Sequence, residues 1–437
     1  MLYIPETEIP QPGAMTVITQ PELDHALEKH RMFLRGQVGG CRAIFQYKNL
    51  SGLNFHNNDL SQSDFTGSML VAADLSLCKF RSASFFGCDM RDCDLSHADL
   101  SRADLRGTTM SGANLSGANL ADADMREGTI MHKAEKGDLV SRIRTGATGG
   151  QTMLIGARLT HADLSGIRAR NADFTDADLS SAVSHDADLK RARFNGANLS
   201  NTDFSGSNLT HANMQRAIIS GIVMQDTENY GVNKQDAITH QNIGMKIEDS
   251  GQTLTDMLEE HALWIKSIGT HGQQMDLSGY DLRSVEDLNI YPLTAIKAIN
   301  ASFIGMDLNS ASIQSSELDG ADFRDCYMEH SDLRGSLLRN AVLTRAHLRN
   351  ARLSPLQFTN QDGSIRLNRV DLSGADLRFC DLQDIDLRDA ILMGADLTQA
   401  DLSGADLRRA DFTGAILKGA KFDDTQLAGT TIDLSTL

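Results

Sequence analysis

Large apolar residues recur along this chain at every fifth position, whereas a helix would place them near a period of 3.6 and a strand at 2. In GTTMSGANLSGANLADADM, residues 107–125, they are Met110, Leu115, Leu120 and Met125. The same phase runs from Phe45 to Ile130, and a second runs from Leu154 to Met224. A third opens with Leu277 and Leu282, slips by one residue and continues from Leu288 to Phe358; a fourth runs from Leu367 to Leu437. Of these 65 centres, 62 are Leu, Phe, Met or Ile, with Ala169, Ser184 and Ala298 the exceptions. So regular an internal repeat decides the architecture before any other feature does.

Two residues before each centre stands a small residue, usually Ala, as at Ala98, Ala103, Ala113, Ala118, Ala197 and Ala405. Asp or Asn precedes the centre, and Ser, Arg, Thr or Gly follows it. Centre and small residue therefore point inward while the other three meet water. Asp, Asn, Ser and Gly turn a chain at little cost. A short inward-facing segment followed by a turn, repeated, winds a solenoid. Phe45, Phe65 and Phe85 are 20 residues apart, as are Phe174 and Phe194, and Phe303 and Phe323. Four repeats per coil would stack each ring on the next, so a four-sided coil is expected.

This A(D/N)LXX pattern resembles the pentapeptide repeat family. The resemblance implies an all-β solenoid, a right-handed quadrilateral β-helix, over roughly three quarters of the chain. The motif encodes the core, so it specifies fold and says little about function.

Two segments outside the repeat resemble each other: LDHALEKHRMFLR (23–35) aligns without a gap with LTDMLEEHALWIK (254–266). Leu23/Leu254, Leu27/Leu258, His30/His261, Phe33/Trp264 and Leu34/Ile265 correspond, and the apolar ones recur at helical spacing. Each leads into repeats, so each reads as a helix capping the first coil, whose sheet edges and core end need cover. The chain thus reads as a duplication. Residues 1–20 form a flexible leader, 21–44 a capping helix and lead-in, and 45–224 a first β-helix interrupted by a loop at 131–153. Residues 225–252 are expected to be a linker, 253–276 a second capping helix and lead-in, and 277–437 a second β-helix with a break at 359–366.

Charge narrows the partners. The net charge of −17 divides into −6 for residues 1–250 and −11 for 251–437, which disfavours direct binding to nucleic acid or to an anionic membrane. No apolar run approaches a membrane span, and MLYIPETEIPQPG lacks the basic and apolar regions of a signal peptide, so a cytoplasmic location is expected. Five of the six cysteines (Cys78, Cys88, Cys93, Cys326 and Cys380) occupy the small inward position and form no CxxC pair, so they read as buried small residues. His30 and His261 correspond between the two helices and read as structural. No HExxH, phosphate loop, nucleophile elbow or dinucleotide fingerprint occurs, and no pair of carboxylates is singled out for acid–base work. Neither an enzyme, a cofactor nor a metal is expected.

Two functions remain open. The first is a non-catalytic scaffold that docks a protein on the outer faces and loops of an acidic rod. Its candidate contact loop is 131–153, where Lys133, Lys136, Arg142 and Arg144 outnumber Glu135 and Asp138. The second comes from the resemblance: fluoroquinolone-resistance members of the family imitate duplex DNA and bind DNA gyrase. At about 4.8 Å per coil the repeats would span roughly 75 Å, or about one net charge per 4–5 Å, against about one per 1.7 Å for duplex DNA. The repeats also run through Leu427 and Ile432 to Leu437 with the small position turned polar at Thr425, Thr430 and Ser435. That end is a candidate tail-to-tail dimer contact.

Overall fold

The computed structural model describes residues 15–129, 131–133, 139–141, 150–239, 244–359 and 363–432. The chain divides into two compact units, Met1–His240 and Gln241–Leu437, each with its own apolar core. The elements in chain order are β1 (Thr16–Val17), α1 (Gln20–Leu34), β2 (Lys48–Asn49), β3 (Met131–Lys133), β4 (Leu139–Ser141), α2 (Leu254–Lys266), β5 (Leu356–Thr359) and β6 (Ile365–Asn368). The repeats supply the rest.

Within a repeat, the residue before the centre forms a parallel bridge with its counterpart 20 positions on, as in Asp74↔Asp94 and Asp94↔Asn114. Twenty residues are four repeats, so each coil has four faces. The rungs are backbone hydrogen bonds: the Leu95 N–H donates to the Asn114 carbonyl at 2.7 Å and Asp94 N–H to the Ala73 carbonyl at 3.1 Å. A turn then closes from the centre to the next small residue, as where Ala98 N–H donates to Leu95 O at 3.0 Å. Its second corner residue is left-handed, which explains Gly, Asn, Asp and Ser there; Gly166 has φ +66° and Asp122 +60°.

Centres and small residues fill the interior. Leu115, Leu120, Ala113 and Ala118 are at most 1% exposed, and the exceptional Ala169, Ser184 and Ala298 point inward as well. Aromatic stacking carries the coil length into space: Phe65 and Phe85 lie 4.8 Å apart at 4°, Phe174 and Phe194 5.0 Å at 11°, and Phe303 and Phe323 4.6 Å at 9°. Most polar small residues are satisfied without leaving the core, because the hydroxyl or thiol donates to a centre carbonyl, usually that of the preceding coil; Ser331 is an exception. Thr202 to Leu179 O at 2.8 Å and Cys326 to Phe303 O at 2.9 Å are examples. Thr425 and Thr430 make the same bond, to Leu402 O and Leu407 O, so they continue a device already used earlier in each β-helix.

Four segments depart from the sequence reading. Residues 225–239, expected to be linker, wind a further part of the first β-helix, through the bridges Asn208↔Glu228, Asn213↔Asn233 and Ile218↔Ile238. Their centre positions are Asn229, Lys234 and Thr239, so the apolar signal vanishes while the turns persist. Part of the expected leader is ordered too: β1 pairs in parallel with β2 on the first coil's edge. Phe358 and Leu367, counted as inward centres, belong to the antiparallel hairpin β5–β6 and are 47% and 45% exposed. Its register, Gln357↔Leu367 and Phe358↔Arg366, draws both residues out of the coil. Finally, β3 and β4 form a second antiparallel pair, Met131↔Ser141, inside the segment expected to be a loop.

Each hairpin leaves the coil and returns to it in register. The bridge spacing stretches from 20 residues to 44 at Thr109↔Met153 and to 34 at Leu337↔Asp371, then returns to 20.

Candidate functional site

The bridge position of many repeats is Asp, and its chemistry depends on the residue two places after it. Where that residue is Arg, the guanidinium folds back on the carboxylate of its own repeat. Asp104–Arg106, Asp322–Arg324, Asp386–Arg388 and Asp406–Arg408 are such forks, with both nitrogens of Arg106 at 2.7–2.9 Å from Asp104. The Arg408 guanidinium holds the Asp406 carboxyl below the usual carboxylate range. Each such pair is neutral in itself, and the corner residues Asp325 and Asp389 pair with Arg345 and Arg409 of the following coil. Where the residue is Ser or Thr, its N–H and often its hydroxyl bind the carboxylate, as Ser205 binds Asp203 at 2.9 and 2.6 Å. The Ser205 hydroxyl, the His185 ring and the Ser205 N–H together bring Asp203 to about 2, so it stays ionised. Such a repeat keeps its negative charge.

The two kinds of repeat are not spread evenly over the four faces. In the first unit, the face carrying Leu120, Leu164, Ser184 and Phe204 has one carboxylate on each of five successive coils: Asp122, Asp163, Asp186, Asp203 and Asp226. No Lys or Arg stands among the outward positions of those five repeats. The carboxylates alternate between the bridge position and the turn corner. At the corners, Gly166 and Gly206 make room for the carboxylate of the coil before, since a Cβ there would lie 2.5 Å from Asp122 Oδ1 and 2.3 Å from Asp186 Oδ1. Arg102 reaches Asp122 from the coil before at 3.8 Å, with both side chains largely in water.

In the second unit the acids gather on the face carrying Leu382, Leu402 and Phe422, as Asp381, Asp384, Asp401, Asp423 and Asp424, with Lys421 among them. Earlier on that face Tyr327 and His347 stack at 5.0 Å and 5°. The next face carries the forks Asp332–Arg334, Asp386–Arg388 and Asp406–Arg408 instead. Hairpin β5–β6 exposes apolar side chains on both faces, Ile365 (66% exposed) and Leu367 on one and Phe358 on the other.

Of the residues singled out in the sequence, Lys133 lies in β3, while Lys136, Arg142 and Arg144 lie outside the described residues. Leu427 and Ile432 sit in consecutive repeats of the last described coil, half-buried against the second core; Leu437 lies outside the described residues. Sequence reasoning missed the acidic columns, although their signal was present. D-x-S and D-x-R repeats become two surfaces once they are read in steps of 20. Among the described residues, no cluster of His, Cys, Asp and Glu is arranged to hold a metal ion. The five inward thiols each donate to a carbonyl, and burial pushes Cys78 up to about 11. Among the described residues, no helix is long and apolar enough to cross a membrane.

A family model described as pentapeptide repeats matches residues 49–87, 88–127, 154–182, 186–226, 293–325, 321–354, 365–392, 371–409 and 390–429, more than half of the chain. A search of curated proteins by sequence found no match. Similar solved structures include trypsin-treated QnrB1, a plasmid-mediated fluoroquinolone resistance protein, at 16% identity over 53% of this chain and 94% of that one, with a TM-score of 0.28. HetL of the cyanobacterium Nostoc sp. strain PCC 7120, involved in heterocyst differentiation regulation, is 21% identical over 92% and 95%, with a TM-score of 0.14. Rfr23 of the cyanobacterium Cyanothece 51142 is 21% identical over 36% and 90%, with a TM-score of 0.18. With coils of four five-residue repeats and a family model matched along both units, the chain belongs to the pentapeptide repeat family, whose members fold as right-handed quadrilateral β-helices.

Proposed function

We propose that the chain is a non-catalytic, cytoplasmic scaffold that docks a protein partner on its acidic columns and hairpins. In this reading it is built from two β-helical modules, each opened by a capping helix. The observation that supports it is the sorting of charge. Arg forks neutralise some faces, while one column of the first unit carries a carboxylate on each of five coils, Asp163 and Asp203 bound by Ser and Asp122, Asp186 and Asp226 at turn corners. Such a surface favours a partner with a basic face and repels nucleic acid and anionic lipid. Segment 131–153, which bears Lys133, Lys136, Arg142 and Arg144, is a second contact, of opposite sign.

The test is capture of partners from the native host on the full chain, compared with a variant carrying Asp163→Asn, Asp186→Asn and Asp203→Asn. Partners lost from the variant while its melting temperature holds support the column. Identical partner sets for the two proteins would sink it.

One observation favours a second reading, mimicry of DNA toward a topoisomerase such as DNA gyrase. One carboxylate per coil sets charges about 4.8 Å apart, close to the about 3.4 Å of a single DNA strand. The column occupies one face, narrower than a duplex, which keeps this reading second. Inhibition of gyrase supercoiling by the wild type but not by the triple Asn variant would move it first. We also propose that Leu427, Ile432 and Leu437 form a tail-to-tail homodimer contact.

A further inference from the structure

Each unit opens on the same arrangement around a buried histidine. His30 of α1 is 0% exposed and its Nδ1 accepts from the Ala43 N–H at 3.0 Å. His261 of α2 is 1% exposed and its Nδ1 accepts from the Met275 N–H at 3.1 Å. Ala43 and Met275 are the small-position residues before Phe45 and Leu277, where the first coil begins. The His261 Nε2 donates to the Thr294 carbonyl at 2.9 Å, on the fourth face of the same coil. A ring that accepts at Nδ1 and donates at Nε2 is neutral.

The surroundings match as well. Phe33 stacks on His30 at 5.7 Å and Trp264 on His261 at 5.8 Å. After each helix the chain doubles back, with Cys41 N–H on Lys29 O at 3.1 Å and Gln273 N–H on Glu260 O at 3.2 Å. The return passes so close that a Cβ at Gly40 would lie 2.3 Å from Phe33 N, and one at Gly272 2.3 Å from Glu260 O. Leu23 and Leu27 join the core of Phe45 and Leu50, and Met257 joins that of Met275 and Leu277. The imidazole is thus the polar link between helix and coil, inside an otherwise apolar contact.

We propose that His30 and His261 are proton-triggered latches: protonation at Nδ1 releases each helix from its first coil and uncovers the strand edges beneath. The inference rests on the capping reading above. A protonated Nδ1 would turn an N–H toward the N–H of Ala43 or Met275, so the bond becomes a donor–donor clash and leaves a charge buried. The charged groups acting on His30 are Asp59 of the first coil and Arg42 of the return segment, of opposite sign. Among the described residues no charged side chain acts on His261; the Thr294 carbonyl faces it. Burial is the leading cause in both rings and holds them below the ordinary 6.5. The docked state therefore binds fewer protons than the released one. Docking is complete above 6.5 and is lost as pH falls below it.

Trp264 is the sole tryptophan and lies on one latch, so its fluorescence reports release directly in the full chain. As pH falls from about 8 to about 4.5, its emission should move toward that of tryptophan in water while the far-ultraviolet β signal holds. Amide protection over 254–266 should fall with it. His261→Asn keeps an acceptor for Met275 N–H and removes the titration, so its emission should stay constant. Trp264→Phe with Phe33→Trp transfers the reporter to His30, with His30→Asn as its control. A wild-type emission that ignores pH, the same shift in His261→Asn, or a shift that occurs only as the β signal collapses would each overturn the latch. Should the Asn variants not fold, imidazole titration by nuclear magnetic resonance decides. A His261 ring that takes up its proton with α2 still protected also overturns the latch. A Trp264 already in water at neutral pH would instead overturn the capping reading.

Discussion

The last described coils of the two units carry opposite kinds of inward residue. In the first, the centre positions of the last repeats are Asn229, Lys234 and Thr239, stacked beyond Leu209, Met214 and Ile219. In the second, the last described centres are Phe422, Leu427 and Ile432, half-buried and packed on the core that ends with Phe412 and Leu417. The backbone is the same in both, with turns and bridges continuing to Ile238 and to Thr431. Only the inward residue differs. A repeat therefore separates two requirements that most folds combine: the turn residues dictate the coil, while the centre residue decides whether that coil faces water or further protein. Asn, Lys and Thr let a coil stand in water, since apolar groups there would leave the end of a hydrophobic column exposed.

The largest effect expected lies away from both ends. Leu115→Asp buries a carboxylate in the closed part of the first core and should cost several kcal/mol, read as a fall of roughly 10–20 °C in melting temperature or outright failure to fold. A thermal melt unchanged in this variant would break the inward assignment on which the comparison rests. Next comes the conversion of one end into the other. Asn229→Leu with Lys234→Leu should give the first unit an apolar finish and cause concentration-dependent association, followed by light scattering. A chain as monodisperse as the parent would mean that these positions do not control exposure.

The reverse conversion, Leu427→Asp with Ile432→Asp, should abolish any self-association of the wild type while lowering the melting temperature far less than Leu115→Asp does. A dimer indifferent to both changes rules out the tail-to-tail contact. The smallest effect compares two hydroxyls. Thr202 is fully buried and Thr430 half-buried, and each donates to a carbonyl of the preceding coil at 2.8 Å. Thr202→Ala should cost about 1 kcal/mol and Thr430→Ala about half of that, because water replaces the lost donor at the end. Equal costs by chemical denaturation would show that the last coil is as closed as the middle.

The same separation explains what could be read from the chain alone. The coil and its period were legible because centre and turn residues agree over most of the repeats, and the Phe45–Phe65–Phe85 spacing supplied the coil length. The last part of the first β-helix was hidden because Asn229, Lys234 and Thr239 carry no apolar signal. Phe358 and Leu367 misled for the converse reason: both are apolar and in phase, yet hairpin pairing takes them outward. The acidic column required the register first, because Asp122 and Asp163 lie 41 positions apart in the chain but on adjacent coils. Helix pairing was visible in the 23–35 and 254–266 alignment, but the acceptor role of each Nδ1 depends on where the return segment places one N–H.

The hairpins that interrupt the coils carry one more consequence. Because β3–β4 leaves and re-enters with the coil's register kept, its 24 extra residues between Thr109 and Met153 do not change which way any later side chain points. A single added or lost repeat has the opposite effect. Removing five residues between Asp186 and Asp203 would swing Asp203 and Asp226 a quarter turn onto the neighbouring face, although every core position and every turn would remain occupied. The compass bearing of a surface on such a rod is thus set by counting modulo four, and it tolerates large excursions better than small ones.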